Sequence, residues 1–496
     1  RGLIKDSSIY GGADFVSKVI AVLTFPLIAA VLPPSDFGSL ELVLTLTTLL
    51  GLIVNSGLNN ALQRFYWDPD TPLGERPLLV SSGLLALVTN CSLAVLLGGL
   101  VVLACSQSLE RLQFPISIVG LLAALILMAA SQVGQYLLDV TRLHLAPWRF
   151  LMVSLVSRVL ASLAAVVAVV WLGWGLDGML ALQSSVALLA LPLAIFVVRR
   201  DITTASDRNL IRQLLKFGHP FIYAGLAFWL FGAMDRWMLA TISSVEEVGL
   251  YSVAYRFSTI VMFISVAFGQ AWSPLAMKIR TDYPSQYRSI YANVLLVLFS
   301  VMIILSGVVA MFAGEVLNFL MPSNYIGAAM PLAVLSLGVA LQATQQVTAV
   351  GISLEKKTHL FARLSWISVL VNLVLNLLLI PTLGALGAAW ATTLTFLVLT
   401  SSYLYYTQIL HTLPLDKRRM IGLCAVWLGL AIVATTMHSS VLSGGLIIAK
   451  LAILLAVTLA CALFVTAPDL VYAKKFSIKS KSTTEDDVGL LIVPPP

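Results

Sequence analysis

The feature that most constrains this chain is a succession of apolar stretches, each long enough to cross a lipid bilayer. A helix needs about 20 mostly apolar residues to span the hydrocarbon core, and stretches of that length follow one another along most of the 496 residues. Only 11% of the residues are charged, and the mean hydropathy is +0.96, whereas soluble domains carry about 25% charged residues. The sequence therefore excludes a soluble enzyme and predicts an all-α polytopic membrane protein.

The apolar stretches are bounded by charged residues and by Pro, Gly, Asn and Asp, and they divide into about 14 predicted transmembrane helices. Loops on the cytoplasmic side of a membrane are enriched in Lys and Arg. With the N-terminus placed in the cytoplasm, 24 Lys and Arg residues fall on the inner side and one, Arg111, falls outside. Both termini are therefore expected to be cytoplasmic. The predicted spans are 8–32, 37–60, 77–105, 114–138, 148–172, 175–198, 217–242, 248–274, 288–313, 326–351, 360–380, 384–408, 418–438 and 443–466.

Two pairs of similar turns indicate an internal repeat. An acidic turn ending in glycine occurs at 35–38 and again at 246–249, an offset of 211 residues, and the turn at 175–178 resembles 384–387, an offset of 209. The agreement favours a duplicated six-helix unit, and an even number of spans gives both copies the same orientation. Parallel repeats of this kind occur in secondary transporters. The alternative is that glycine-rich turns recur by chance.

The repeat predicts the organisation of the whole chain. We expect an N-terminal six-helix lobe at 1–198, a basic cytoplasmic linker at 199–216 and a second six-helix lobe at 217–408. Two additional transmembrane helices follow at 409–472. The polar segment 473–496 is expected to be a disordered cytoplasmic tail.

Apart from those at the span ends, which are counted with the loops, five basic residues fall inside the predicted spans. A charge at the centre of a span costs roughly 2.5–3.5 kcal/mol unless it faces water or a partner. We expect four of them to line a water-filled cationic cavity that binds an anionic substrate, since Arg can bind phosphate through two parallel hydrogen bonds. These four are Lys18, Arg158, Arg236 and Arg256, with Arg158 nearest the midplane. The fifth, Lys450, is expected to snorkel to the surface or to line a peripheral groove.

Other roles remain open for these charges. Asp14 and Lys18 are spaced to neutralise each other on one helix, and Arg236 could reach the membrane surface. Asp14 and Asp235 are the acidic candidates for coupling transport to an ion or proton gradient. The histidines and cysteines show no metal-ligand spacing, and the sequence contains no phosphate loop or catalytic triad. The sequence therefore predicts no metal site, no cofactor and no nucleic-acid partner.

Several short stretches, in order and spacing, resemble bacterial polysaccharide-transport proteins. In these stretches the chain is similar to the Wzx-like oligosaccharide flippases of the multidrug/oligosaccharidyl-lipid/polysaccharide exporter superfamily. The similarity covers essentially the whole chain. The stretches are Phe25–Leu27, Pro34–Gly38, Ser56–Leu58, Arg64–Tyr66, Asp235–Arg236, Val248–Arg256 and Ala271–Pro274.

The resemblance implies a secondary-type transporter of the bacterial inner membrane rather than an enzyme. Its implied substrate is an undecaprenyl-pyrophosphate-linked oligosaccharide, an O-antigen or exopolysaccharide repeat unit, moved to the outer leaflet by two lobes that alternate access. Membrane lipid, a polysaccharide polymerase and assembly proteins are the candidate partners. The alternatives are a lipid II or multidrug exporter of the same superfamily and, among enzymes, a membrane glycan polymerase. Bases outnumber acids in the spans, which disfavours cationic drugs, and no external loop is long, which disfavours a polymerase.

Overall fold

The computed structural model describes residues 20, 23–69, 71–111, 114–144, 147–355, 357–437 and 444–465. Over these residues the regular structure is helical and contains no strand, which confirms the predicted all-α membrane class. The α-helices are α1 (Pro34–Asn55), α2 (Leu58–Tyr66), α3 (Arg76–Ala104), α4 (Ser106–Arg111), α5 (Ile118–Leu143), α6 (Pro147–Val166), α7 (Gly175–Val198), α8 (Arg208–Gly218), α9 (Pro220–Ile242), α10 (Val245–Asp282), α11 (Tyr287–Met311), α12 (Ala313–Leu320), α13 (Ala329–Ala343), α14 (Gln345–Thr348), α15 (Val350–Leu354), α16 (Thr358–Leu410), α17 (Lys417–Thr436) and α18 (Gly444–Phe464).

Eleven helices of the described residues are long and apolar enough to cross a membrane, and α8 with α9, bent by 43°, gives a twelfth. Helix α16 has 53 residues, which corresponds to about 80 Å and exceeds the thickness of a bilayer core. Its backbone leaves the helical conformation at Gly384, so two predicted spans, 360–380 and 384–408, lie within it. The predicted span at 8–32 falls mostly outside the described residues, so the count of fourteen stays a prediction.

The contacts divide the chain into two compact units. The first contains Arg1–Val253, Leu320–Tyr325 and Asn376–Ala385, and the second contains Ala254–Phe319, Ile326–Leu375 and Leu386–Pro496. The predicted tail at 473–496 lies outside the described residues. The lobe and linker boundaries drawn from the sequence stay predictions.

In the first unit, α5 packs against both α3 and α7, and α7 also packs against α6. The core between them is apolar and includes the fully buried Leu87, Leu137 and Phe150. The buried Tyr136 hydroxyl donates to the Val80 carbonyl at 3.0 Å. A polar group inside an apolar core is thereby satisfied, which holds α5 against α3.

The first long apolar helix is broken between α1 and α2. Ser56 and Gly57 both adopt left-handed backbone conformations, with φ of 49° and 71°. A Cβ on Gly57 would overlap the backbone of Gly218, and a Cβ on Gly218 would overlap the Ser56 carbonyl oxygen. Glycine at both positions therefore lets the C-terminal end of α8 lie directly against the break.

A reciprocal glycine contact joins the beginnings of α1 and α10. A Cβ on Gly38 would overlap the Val245 carbonyl oxygen, and a Cβ on Gly249 would overlap the Pro34 carbonyl oxygen. Gly38 and Gly249 are 211 positions apart, as are Pro34 and Val245. Two segments that exchange equivalent contacts are related by an approximate two-fold axis. The contact therefore supports the predicted repeat.

A histidine–carboxylate pair occurs in each unit at corresponding positions. In the first unit His144 Nε2 lies 2.7 Å from Asp201 Oδ1, and in the second His411 Nε2 lies 2.8 Å from Glu355 Oε1. A tyrosine hydroxyl lies within hydrogen-bond distance of each histidine. The offsets are 211 and 210 residues, but histidine and carboxylate have exchanged places. This second correspondence also supports the repeat.

In the second unit, α11 packs against α13, α17 and α18. The expectation that Lys450 snorkels or lines a peripheral groove is wrong, because this α18 side chain is only 1% exposed. Its ammonium forms an ion pair with Glu315 of α12, which is itself buried, and lies 5.6 Å from the centre of the Phe312 ring. A carboxylate on a neighbouring helix thus satisfies the lysine inside the protein.

Candidate functional site

A buried polar region of the first unit surrounds two adjacent residues of α9, Asp235 and Arg236, which are 3% and 6% exposed. Neighbours in a helix point about 100° apart, so each has its own partners. Asp235 accepts hydrogen bonds from the Tyr251 hydroxyl at 2.5 Å and from Asn376 Nδ2 at 3.1 Å. Tyr251 comes from α10 and Asn376 from α16, so the carboxylate links three helices.

Arg236 forms an ion pair with Glu41 of α1, with 3.5 Å between Nε and Oε2. The guanidinium also donates to Ser252 Oγ at 3.2 Å and to the Gly232 carbonyl at 2.6 Å. Its central carbon lies 5.7 Å from the centre of the Tyr251 ring. We call the group Glu41, Asp235, Arg236, Tyr251 and Asn376 the buried polar centre.

Charges removed from water cost several kcal/mol each unless close partners compensate them. In the buried polar centre one base faces an acid, and the second acid receives two hydrogen bonds from neutral groups. The arrangement holds Arg236 charged inside the protein. A competing anion could take the place of Glu41, since carboxylate and phosphate offer Arg similar acceptors.

The other predicted site residues lie elsewhere. Arg158 lies on α6 in the first unit and Arg256 on α10 in the second, and both side chains are partly exposed. Lys18 and Asp14 lie outside the described residues. Of the predicted set, the structure brings together Asp235 and Arg236. The grouping of the four cations stays a prediction.

Sequence reasoning did not assign the partners in the buried polar centre. Glu41 carried a signal, because it is an acid inside an apolar stretch, and the rule that selected the basic residues selects it as well. Tyr251 and Asn376 are uncharged and common in membrane helices, so their type carried no signal. Their role comes from contacts between segments far apart in the sequence.

A second polar group, also missed from the sequence, surrounds Asp139 on α5. This carboxylate is 4% exposed and accepts from Asn59 at 2.8 Å and Gln135 at 3.0 Å, and Arg142 lies 3.2 Å away. The group joins α2 to α5 within the first unit. Within the residues described by the structure, no three His, Cys, Asp or Glu side chains come together as metal ligands would.

Comparison with known proteins gives a family and a curated relative. The profile of the family described as polysaccharide biosynthesis protein matches residues 3–280, more than half of the chain. The chain is 24% identical over 216 residues to the probable low-salt glycan biosynthesis flippase Agl15 of Haloferax volcanii. That match spans 43% of this chain and 46% of the relative, so it covers about half of the relative's length.

Solved structures show the fold. The lipid II flippase MurJ in its inward closed conformation superposes with a TM-score of 0.68 at 12% identity, covering 95% of this chain and 99% of that one. An inward-facing multidrug resistance MATE family transporter of the MOP superfamily gives 0.60 at 14% identity, covering 79% and 94%. Both are polytopic helical transporters. The chain belongs to the polysaccharide biosynthesis protein family, which confirms its resemblance to Wzx-like flippases.

Proposed function

We propose that the protein is a flippase that moves undecaprenyl-pyrophosphate-linked oligosaccharide from the inner to the outer leaflet by alternating access. The observation that carries the proposal is the family match over 3–280, a segment that contains all four predicted cavity cations. A pyrophosphate is the anion that such cations would bind. The curated relative is named as a glycan flippase, which favours a glycan substrate. We place the protein in the cytoplasmic membrane of a bacterial cell with both termini in the cytoplasm, an orientation that the Lys- and Arg-rich loops favour.

Two solved structures with a similar fold suggest the two alternative functions. MurJ is named a lipid II flippase and the second structure a multidrug transporter, but identities of 12% and 14% establish only the fold. A multidrug exporter with cationic substrates would suit an acidic interior. The basic excess within the spans favours the glycan flippase instead.

The buried polar centre offers a way to couple transport to a gradient. While Glu41 is ionised it neutralises Arg236 at 3.5 Å. Before Arg236 can bind a pyrophosphate, Glu41 must be displaced or neutralised. Asp235, the residue before Arg236, is the second acid whose charge acts on this arginine. We assign the coupling role to Asp235, a buried acid that accepts hydrogen bonds from the neutral side chains of Tyr251 and Asn376.

Arg158→Ala is expected to reduce glycan export about 10- to 100-fold, the effect of losing one hydrogen bond to a charged group. Arg158→Lys should keep part of the activity, because the positive charge remains while the bidentate hydrogen bonding of the guanidinium is lost. The measurement is surface glycan in a complementation assay, with protein levels in the membrane determined in parallel. Normal export by a well-expressed Ala variant would remove Arg158 from the site.

Asp235→Asn is expected to make flipping independent of an imposed ion gradient. Asn keeps the side-chain shape and can still accept the Tyr251 hydrogen bond, so the fold should persist while the titratable charge is lost. Flipping of fluorescent lipid-linked glycan would be measured in proteoliposomes with and without a proton or sodium gradient. Asp139→Asn, an equally buried neutralisation outside the buried polar centre, is the matched control and should keep the gradient response. An Asp235→Asn protein that still responds to the gradient would exclude Asp235 as the coupling residue.

A further inference from the structure

Basic side chains follow one face of α8, the helix at the end of the predicted cytoplasmic linker, which leads into the span α9. Arg208, Arg212 and Lys216 are four residues apart, so they lie on the same side of the helix, and His219 follows three residues later. All four side chains are exposed. We call Arg208, Arg212, Lys216 and His219 the basic row.

The basic row and two aliphatic side chains line a shallow groove of about 520 Å³ on the first unit. Two acids close to α8, Asp68 and Glu75, line a separate groove together with Gln213. The groove of the basic row contains no acid, so its charged groups are all basic. Its lining residues are Arg208, Ile211, Arg212, Leu215, Lys216 and His219.

The arginines and the lysine of the basic row have no counter-charge within the protein. Among the residues that the structure describes, no carboxylate forms an ion pair with Arg208, Arg212 or Lys216. Like charges four residues apart destabilise a helix. An anion bound along the row would remove this repulsion, so the arrangement favours an anionic ligand from outside the protein.

Packing and hydrogen bonds hold α8 in place with the basic row outward. Ahead of the helix, the backbone N–H groups of Thr203 and Asp207 donate to the hydroxyls of Ser81 and Ser82 on α3, at 2.8 and 3.0 Å. On the side of α8 away from the row, Leu214 is 1% exposed and lies in the apolar core of the first unit. A surface fixed in this way loses little conformational entropy when it binds a ligand.

The adjoining span indicates how deep the basic row lies. Helices α8 and α9 are bent by 43° relative to each other, and together they form a candidate membrane span. Tyr223 of α9, four residues after His219, is 72% exposed. Tyrosines at the ends of spans are enriched at the level of the lipid head groups. We therefore expect the basic row at the membrane surface, on the side that the Lys- and Arg-rich loops predict to be cytoplasmic.

We propose that the basic row binds anionic phospholipid head groups of the cytoplasmic leaflet, a site that is independent of the substrate that the protein carries. Arg and Lys bind phosphate oxygens, and basic residues on an amphipathic helix beside a span attract anionic lipid. Ile211 and Leu215 offer apolar contacts beside the cations, as an interfacial helix does. Binding would hold the linker against the membrane.

The pyrophosphate of a lipid-linked substrate offers the same chemistry, but the length of the basic row favours phospholipid. Arg208 and Lys216 are eight residues apart, which corresponds to about 12 Å along a helix. One pyrophosphate would contact only neighbouring members of the row. Several phospholipid head groups can lie side by side along its whole length.

The experiment uses the full-length protein in a neutral detergent and measures binding of fluorescent phosphatidylglycerol by anisotropy. The row variant combines Arg208→Gln, Arg212→Gln and Lys216→Gln. It should bind this lipid about 100-fold more weakly, because each basic residue near a membrane surface contributes about fivefold. Fluorescent phosphatidylcholine, which has no net charge, should bind the row variant and the unmodified protein equally.

The matched control loses the same number of exposed basic residues from predicted cytoplasmic segments of the second unit. It combines Lys278→Gln, Lys417→Gln and Arg418→Gln, and it should bind phosphatidylglycerol as the unmodified protein does. A second variant, Arg208→Lys with Arg212→Lys, keeps every charge of the row and should keep most of the binding. Retained binding by this variant would show that the groove still forms when both arginines are replaced.

Three results would overturn the proposal. Equal weakening in the row variant and the control would show a general effect of net charge, and unchanged binding in the row variant would exclude the groove. If undecaprenyl pyrophosphate displaced the fluorescent lipid at a lower concentration than unlabelled phosphatidylglycerol, the groove would belong to the substrate instead. Glycan export tests the flippase function separately, so failure of the phospholipid site leaves that function standing.

Discussion

Lys450→Ala is expected to destabilise the protein by about 3–5 kcal/mol, because it leaves the buried carboxylate of Glu315 without its counter-charge. Lys450 is 1% exposed and its ammonium contacts Glu315 Oε1. The other carboxylate oxygen, Oε2, is buried with no hydrogen-bond partner among the described residues. The lysine is therefore the main group that compensates this acid.

Thermal unfolding of the purified protein in detergent would measure the loss. Lys417→Ala, an exposed lysine at the start of α17, is the matched control and should change stability by less than about 0.5 kcal/mol. Lys450→Met combined with Glu315→Gln removes both charges and should recover most of the loss, since an apolar replacement of a buried pair is often neutral. A Lys450→Ala protein as stable as the control would show that the pair is not the link between α12 and α18.

Gly38→Ala and Gly249→Ala are each expected to destabilise the protein by about 3 kcal/mol, the upper end of what overpacking normally costs. In both variants the new Cβ would overlap a backbone carbonyl oxygen, that of Val245 or of Pro34. Neither glycine has a positive φ. The penalty would thus come from the close approach of α1 and α10 rather than from backbone strain.

The control for these variants is Gly429→Ala on α17, where a Cβ would meet nothing within 4 Å. Ala is favoured over Gly in a helix by about 1 kcal/mol, so this variant should be neutral or slightly stabilising. The same unfolding measurement serves for all three. Equal stability of the Gly38 and Gly429 variants would mean that the two helices do not meet this closely in solution.

Local patterns in the sequence predicted the helices well because the bilayer imposes a length and a composition on each span. The apolar stretches at 77–105 and 288–313 correspond to α3 and α11 within a few residues. Gly384 is the first residue of the predicted span 384–408, and the structure has a positive φ at this residue. Such features depend on residues near one another in the chain.

The partners of the charged residues could not be predicted because they depend on packing between distant segments. Arg236 and Glu41 are both visible as charges within apolar stretches, but nothing in the sequence pairs them across almost 200 residues. For Lys450, the position near a span end favoured snorkelling. The buried carboxylate on α12 reversed that expectation, since a lysine held by an acid gains nothing from reaching the surface.

The glycine contact between α1 and α10 has the form of a homodimer interface contained within one chain. In a two-fold dimer, residue i of one subunit touches j of the other while j touches i, and Gly38–Val245 with Gly249–Pro34 repeats this rule. At the His144–Asp201 and Glu355–His411 pairs the two copies of the predicted repeat differ, because histidine and carboxylate have exchanged places while the pairing persists. We infer that the predicted repeat keeps its symmetry in these backbone contacts and relaxes it in its charges.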